Sequence, residues 1–438
     1  MQAKLSGSLA GRRKKVLSQG YAKPLSGLYC IGILGWQGIK MGLRTGIQKS
    51  LEARLGNKAI ACLASVIVLP LMVVRLWLKA QTVAAQVKIP DLDQTKLKAL
   101  LEKQCPIPRE EAVIAYSNPP SLALSVIMPV YNSAAYLHQT VMSVLEQQTN
   151  HQFELICIND GSSDESGSLL QDLSNDSRVV VIHKVNGGIA RARNTGLEVA
   201  RGRWIMFLDS DDLLVPGAID LMMQRALQED VDIIAANFFS FSDLAYPGFS
   251  PLGSELFHVM DSVGAYSQIK DGFPWGKLYR RELWRNVRFP AGYQFEDSII
   301  KTLLFPMADR IAVTEAAVVG YRVHQKSITS TLNKSPNAGV FVLWLVDKLI
   351  SEYQRLGLSK DIVFSQMVVQ HLTRYLTIRL QHMPMSTLSA VFAYARNSAQ
   401  SLNVNDFSNH YEQNAWKALV RGRFAHWYFY SSLASLGR

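Results

Sequence analysis

Short apolar runs alternate with helix-period segments between residues 122 and 240. Leu124-Ser-Val-Ile-Met-Pro-Val130, Leu155-Ile-Cys-Ile158, Val179-Val-Val-Ile182, Trp204 to Leu208 and Val231-Asp-Ile-Ile-Ala235 are brief and rich in large or branched apolar residues. Such runs read as strands buried on both faces. Between them, Leu137, Val141, Val144 and Leu145 share one helical face, and a second helical pattern runs from Ala190 to Ala200. Strands and helices alternating at this spacing predict an α/β fold with a doubly wound, mostly parallel sheet. Flanking segments are helical. A short amphipathic helix is predicted between Asp91 and Leu101, another runs from Ser298 to Leu304, and beyond about residue 335 Phe341, Leu345 and Leu349 share a face. His371, Tyr375 and Arg379 are spaced as helix neighbours there.

Charge divides the chain further. The net charge is +11, and residues 1 to 58 carry +10 of it, with eleven Lys and Arg against one acid, Glu52. A basic arm of this kind suits an anionic surface, membrane or nucleic acid. Its neighbour favours membrane, because Ala59 to Val74 is an uncharged, mostly apolar run ended by Arg75, Trp77 and Lys79. That run is short of the ~20 residues needed to span a bilayer, and Pro70 inside it is expected to kink a helix. A marginal transmembrane helix, a kinked segment within one leaflet and a buried soluble helix all fit the run. The span Gly27 to Gly46 is apolar with scattered Lys and Arg, suited to an interface. Pro106, Pro108, Pro119 and Pro120 mark a linker, and Cys30, Cys62, Cys105 and Cys157 show no CxxC spacing, as expected of reduced thiols. The expected organisation is a basic arm (1–58), a membrane-associating segment (59–79), a helix and linker (80–121), the α/β domain (122–335) and a helical C-terminal region (336–438).

The strands end in unusual polar clusters: Tyr131-Asn132-Ser133, Asn159-Asp-Gly-Ser-Ser-Asp164, Lys184-Val-Asn-Gly-Gly188 and Asp209-Ser-Asp211-Asp212. Ligands of doubly wound sheets bind beyond the carboxyl ends of the strands, so these clusters predict one shared site. Three carboxylates within four residues repel one another, and a divalent ion shared with substrate phosphates relieves them. A turn or helix N-cap before Pro216 is the plainer reading of the same residues.

Ser125-Val-Ile-Met-Pro-Val-Tyr-Asn132, Asn159-Asp-Gly-Ser-Ser-Asp164, Ala190-Arg-Ala-Arg-Asn194 with Gly196, and Asp209-Ser-Asp-Asp212, in that order, resemble the family 2 glycosyltransferases over about residues 122 to 331. The resemblance implies a GT-A fold and an inverting, nucleotide-sugar-dependent enzyme. Under it, Asp160 accepts a hydrogen bond from the nucleobase, with Val130 and Tyr131 bordering the nucleoside. Asp209 and Asp211 match the DxD carboxylates that hold the ribose and a divalent metal, Mn²⁺ or Mg²⁺. Asp212 reads as a cap of the next turn. Arg191 and Arg193 are candidates for nucleotide contact, against a reading as solvated helix arginines. Tyr293-Gln-Phe-Glu296-Asp297-Ser298 matches the ED motif, making Asp297 the base and Glu296 its orienter or an acceptor contact. Trp275 matches the acceptor side, where an aromatic ring stacks on a sugar, although Trp is equally at home in a core. His324, in Tyr321-Arg-Val-His-Gln-Lys-Ser327, is the candidate third metal ligand.

Together these imply a hexosyltransferase adding one sugar in β linkage from a UDP-type donor to a glycan or lipid-linked acceptor, as in bacterial surface-polysaccharide assembly. Its expected place is the cytoplasmic face of the plasma membrane, peripheral or monotopic, with no nucleic acid partner. The QxxRW motif of processive synthases is absent from the sequence, which argues for single or few additions. Transfer to a polyprenyl phosphate and an inactive membrane scaffold of the same fold are the alternatives.

Overall fold

The computed structural model describes residues 58–109, 119–242, 252–253, 256–269, 272–324, 335–380 and 382–436, with side chains from residue 71 onward. The basic arm as far as residue 57, the Gly27 to Gly46 span, the Cys62 side chain and residues 325–334 lie outside this description. Residues 72–436 form one compact unit.

The sheet has nine strands: β1 (Leu122–Val130), β2 (Phe153–Asn159), β3 (Val179–His183), β4 (Gly202–Phe207), β5 (Leu213–Leu214), β6 (Ile233–Ser242), β7 (Phe257–Met260), β8 (Lys277–Arg280) and β9 (Ile311–Val323). The order is β3-β2-β1-β4-β8-β6-β9-β5, with β7 also on β9. β3, β2, β1 and β4 run parallel, which is the doubly wound half that the sequence pattern predicts. Beyond β4, β8 enters antiparallel and β6 pairs parallel with β9, so the second half is mixed.

Alternate residues of each strand feed two cores. Val126, Met128, Leu155, Cys157, Trp204 and Met206 pack with helices Ala134–Leu145 and Ala218–Gln228 on one face. Ile127, Ile156, Ile158, Ile205 and Phe207 face the other way, toward helix Ile189–Val199 and the C-terminal helices. Gly196 lies against this second face, where an added Cβ would come within 2.4 Å of Ile127 Cγ2. Polar groups also stitch the parallel half. The Ser125 hydroxyl donates to Glu154 Oε1 at 2.6 Å and accepts from the Gly202 N–H at 2.8 Å, joining β1, β2 and β4.

The helical C-terminal region comprises Ala338–Leu356, Ile362–Gln370, Met385–Ser401, His410–Val420 and Phe424–Leu436. It shares the second core with the sheet, and Trp344 and Trp427 are fully buried in it. The predicted helix near residue 91 is Gln94–Glu102, capped by the Asp93 carboxylate on the Lys96 N–H. Gln104 and Cys105, just ahead of the segment read as a linker, are docked: Trp344 Nε1 donates to the Cys105 carbonyl, and Thr387 Oγ1 to Gln104 Oε1, while residues 110–118 of that segment lie outside the described residues. Lys58–Ala84 is a single 27-residue helix with Pro70 inside it. Its later turns pack inward, with Trp77 edge-on to Phe429 at 5.2 Å and Ala80 buried. Among the described residues no helix is long and apolar enough to cross a membrane.

Candidate active site

The β1 and β2 ends are laced together. Asn132, with φ of 50°, receives the Ser163 N–H on its Oδ1, while its own N–H donates to Ser162 Oγ. Asp164 accepts from the N–H groups of Ala134 and Ser166 and so pins the start of both following helices. Between these ends lies Asp160, 3% exposed. Its Oδ1 accepts from Lys184 Nζ at 2.7 Å and the Gly187 N–H at 2.9 Å, and its Oδ2 accepts from the Gly188 N–H at 2.7 Å. Asp160 therefore holds the loop after β3, and Lys184 is a partner the sequence reading did not assign. Lys184 ends a strand as the other polar clusters do, and that position was the available signal. Val130 is buried beside this corner, whereas the Tyr131 side chain is 53% exposed.

Arg193 joins two motifs that stand far apart in sequence. It is 2% exposed, with Nη2 on Asp209 Oδ1 and Nη1 on Glu296 Oε1, both at 2.9 Å. Burial opposes its charge, but Asp209, then Glu296, outweigh that and hold the guanidinium above its usual range. The reading of Arg193 as a solvated helix arginine is thereby replaced. Arg191 stays nearer the loop, with Nη1 3.4 Å from the Gly187 carbonyl.

The remaining carboxylates of the β4 end are crowded. Burial, then the neighbouring Asp209, raises the Asp211 carboxyl, and burial with Asp211 and Asp209 raises Asp212 further. Asp211 Oδ2 lies 2.8 Å from His324 Nε2, and His324 Nδ1 is buried without a hydrogen-bond partner. Asp212 was expected to cap the next turn. Its Oδ1 instead accepts from the Arg322 N–H, and its buried Oδ2 has no partner. Arg322 itself bonds the Asp211 carbonyl and Gln139, tying β9 to the β4 end. Asp211 Oδ2 and His324 Nε2, a carboxylate oxygen and an imidazole nitrogen 2.8 Å apart, suit a divalent ion that takes few protein ligands and completes its shell from phosphate. Among the described residues no group of three or more His, Cys, Asp or Glu is arranged to hold an ion unaided.

Asp297 follows a strained turn. Phe295 has φ of 64° and ψ of 37°, left-handed for a bulky residue, which costs ~1–3 kcal/mol and is typical of functional segments. Glu296–Ser298 is a 3₁₀ turn and Ile300–Leu304 a π-helix, where one regular helix from Ser298 was expected. Asp297 keeps a window to solvent but lies deep among protein atoms. Burial, then Glu296, pushes its carboxyl up to about 7, against the pull of Arg193. Trp275 is 4% exposed, stacked between Phe273 and Tyr321 at 4.6 and 5.6 Å, so the structure places it within an aromatic column. The buried thiols of Cys105 and Cys157 are free, and burial pushes that of Cys157 up to about 12.

Comparison with known proteins matches residues 125–288 to the sequence profile of glycosyl transferase family 2. A glycosyltransferase of Haemophilus influenzae is 40% identical over 247 residues, covering 55% of this chain and 92% of that protein. Glycosyltransferase EpsJ of Bacillus subtilis is 32% identical over 47% of this chain and 62% of its own length. Glycosyltransferase GlyA of Streptococcus pneumoniae is 29% identical over 47% of this chain and 31% of its own. The chain thus spans under two thirds of EpsJ and under one third of GlyA. Among solved structures, S. aureus TarS in complex with UDP-GlcNAc aligns with a TM-score of 0.49 at 17% identity, over 72% of this chain and 93% of the other.

Proposed function

This chain belongs to glycosyltransferase family 2, and we propose that it moves a sugar from a nucleoside-diphosphate donor, UDP-linked, to an acceptor hydroxyl with inversion. The acceptor is a growing glycan or a lipid-linked one, and the product a β linkage in surface-polysaccharide assembly. The observation that carries this reading is Arg193 bridging Asp209 and Glu296, because it brings the DxD and ED segments to one place.

Each residue then has a task. Asp160, with Val130 and Tyr131, borders the nucleoside, and Asp209 holds the ribose with its face turned from Arg193. Asp211 and His324 would hold a divalent cation, which when bound offsets charge on the departing diphosphate. Asp297 takes the proton of the acceptor hydroxyl as that oxygen bonds to the anomeric carbon, while the bond from that carbon to the diphosphate oxygen breaks. A carboxyl titrating near neutrality is a stronger base than an ordinary aspartate, and about half of it is ionised at pH 7. Glu296, fixed by Arg193, keeps negative charge beside it. Trp275, buried in its column, supports the acceptor side from behind. The basic arm and the segment 59–79 attach the enzyme to an anionic membrane surface on the side where nucleotide sugars are made.

The test is hydrolysis of a panel of nucleotide sugars, with and without Mn²⁺, by wild type and Asp211→Ala. Metal-dependent release of one nucleoside diphosphate, falling at least about 10²-fold in the variant, is expected. Equal turnover by the two proteins would sink the metal role, and absence of both turnover and calorimetric UDP binding would favour the scaffold alternative.

A further inference from the structure

We infer that Arg379, from the C-terminal helical region, is a positioning residue for Asp297, clamping Phe295 and so fixing the turn that carries the base. The inference rests on the proposed role of Asp297. Arg379 lies outside the profile match, in a segment that carried no recognisable motif.

The contact is close. The Arg379 guanidinium stands 3.8 Å from the centroid of the Phe295 ring, well inside the range of a cation–π pair. Phe295 is the residue whose left-handed backbone turns the chain into Glu296 and Asp297. A conformation of that kind persists only where its surroundings over-determine it. Arg379 is well placed to do so, because it is itself anchored. Its Nη1 donates to the Tyr375 carbonyl at 2.8 Å, and its backbone N–H to the Leu376 carbonyl.

Two irregular helices frame the contact. His371–Tyr375 is a π-helix separated from Arg379 by the short α-helix Leu376–Ile378, and Ile300–Leu304 is a π-helix closely following the Asp297 turn. Widened turns of this type recur at functional sites, since the extra residue re-aims the side chains beyond it. Here the first presents Arg379 to Phe295, and the second lets the chain leave the 3₁₀ turn, with Thr302 Oγ1 donating to the Ser298 carbonyl at 2.7 Å.

Plain packing explains less. An apolar side chain would cover Phe295 without leaving a buried Nε lacking a hydrogen-bond partner, as Arg379 has. Among the described residues no carboxylate forms an ion pair with it within 4 Å. Burial lowers the pKa of Arg379 to about 10, against the pull of Tyr375 and then of Asp297. A cation therefore sits partly desolvated beside the base's loop, where it restrains Phe295 through the ring face and Asp297 through its field.

The full-length chain tests this with Arg379→Met, which keeps an apolar stem, and Arg379→Lys, which keeps a cation. In hydrogen exchange, amides of residues 293–304 should exchange about tenfold faster in Arg379→Met, with β1 and β4 unchanged and the lysine variant between. In donor hydrolysis, kcat should fall about tenfold with the donor KM within about twofold, as misplacement of a base requires. Wild-type exchange at 293–304, or loss of protection spread over the whole chain, would overturn the inference. So would an unchanged kcat. If wild type neither hydrolyses a donor nor binds UDP, the functional reading fails on its own, and the exchange measurement still decides the role of Arg379.

Discussion

Single charges do most of the arranging at this site. Arg193 is buried with two carboxylates on its Nη atoms, and removing one partner of such a group leaves charge uncompensated in a dry place. Asp297 follows Glu296 in the chain, and its carboxyl is raised to about 7 by burial and by that neighbour. A base must be ionised to work, and a raised carboxyl is protonated below its pKa. The acid limb of the rate profile should therefore bend near pH 7, and the rate should drop about tenfold per unit below it. An ordinary aspartate would keep its activity down to about pH 4. Asp297→Asn should remove that limb and about 10²–10⁴ of the rate. A wild-type profile flat between pH 5 and 8 would contradict the assignment. The candidate carboxylates were legible because each ends a predicted strand or a known motif. The burial of Arg193 was not, since nothing in Ala190-Arg-Ala-Arg-Asn194 tells an inward arginine from an outward one. The Phe295 to Arg379 contact joins residues 84 positions apart and has no local pattern at all.

Whole elements repeat this division. β1, β2 and β4 could be read from sequence because continuous apolar runs of that length have few other folded uses. β8 and the second half of the sheet could not, because Lys277-Leu-Tyr-Arg280 is brief and its pairing with β4 is antiparallel and non-local. The π-helix at Ile300–Leu304 was invisible for a related reason: an inserted residue reflects the packing around a turn more than the propensity of its five residues. Gly202, the first residue of β4, shows how tightly the readable half is built. An added Cβ there would come within 2.3 Å of the Ser125 N and 2.5 Å of the Leu124 carbonyl carbon, both backbone atoms that cannot swing aside. Gly202→Ala should thus part the β1–β4 edge and destabilise the chain by ~1–3 kcal/mol, read as a lower denaturant midpoint at unchanged slope. Gly357→Ala, with open space around its Cβ but a positive φ of 66°, is the control for backbone strain alone. Equal losses in the two would mean that close approach contributes nothing.

At the scale of the molecule, charge and catalysis occupy different parts of the chain. Residues 59 to 438 are nearly neutral, and the +10 of residues 1 to 58 stands apart in sequence from the carboxylate-rich strand ends. A basic catalytic face would suit nucleic acid or a phosphate polymer, whereas a basic arm that precedes an apolar run in the sequence suits an anionic surface, as proposed here. The helix Lys58–Ala84 continues into residues that pack on the C-terminal helix through Trp77. Those C-terminal helices share a core with Phe207, at the end of the strand that leads into Asp209. Adsorption of the arm to an anionic surface is the proposed role of that charge. Electrostatic adsorption has a clear signature. Each Lys or Arg near an anionic bilayer contributes ~1 kcal/mol, and the attraction fades beyond the Debye length, ~10 Å at 0.1 M salt and ~3 Å at 1 M. The full-length chain should sediment with vesicles containing anionic lipid at low salt and be released as salt rises to about 1 M. Replacing Arg12, Arg13, Lys14 and Lys15 by Gln should move that release to lower salt. Retention that ignores salt in both proteins would place the affinity in the apolar helix instead, and equal binding to uncharged vesicles would remove the arm from the account.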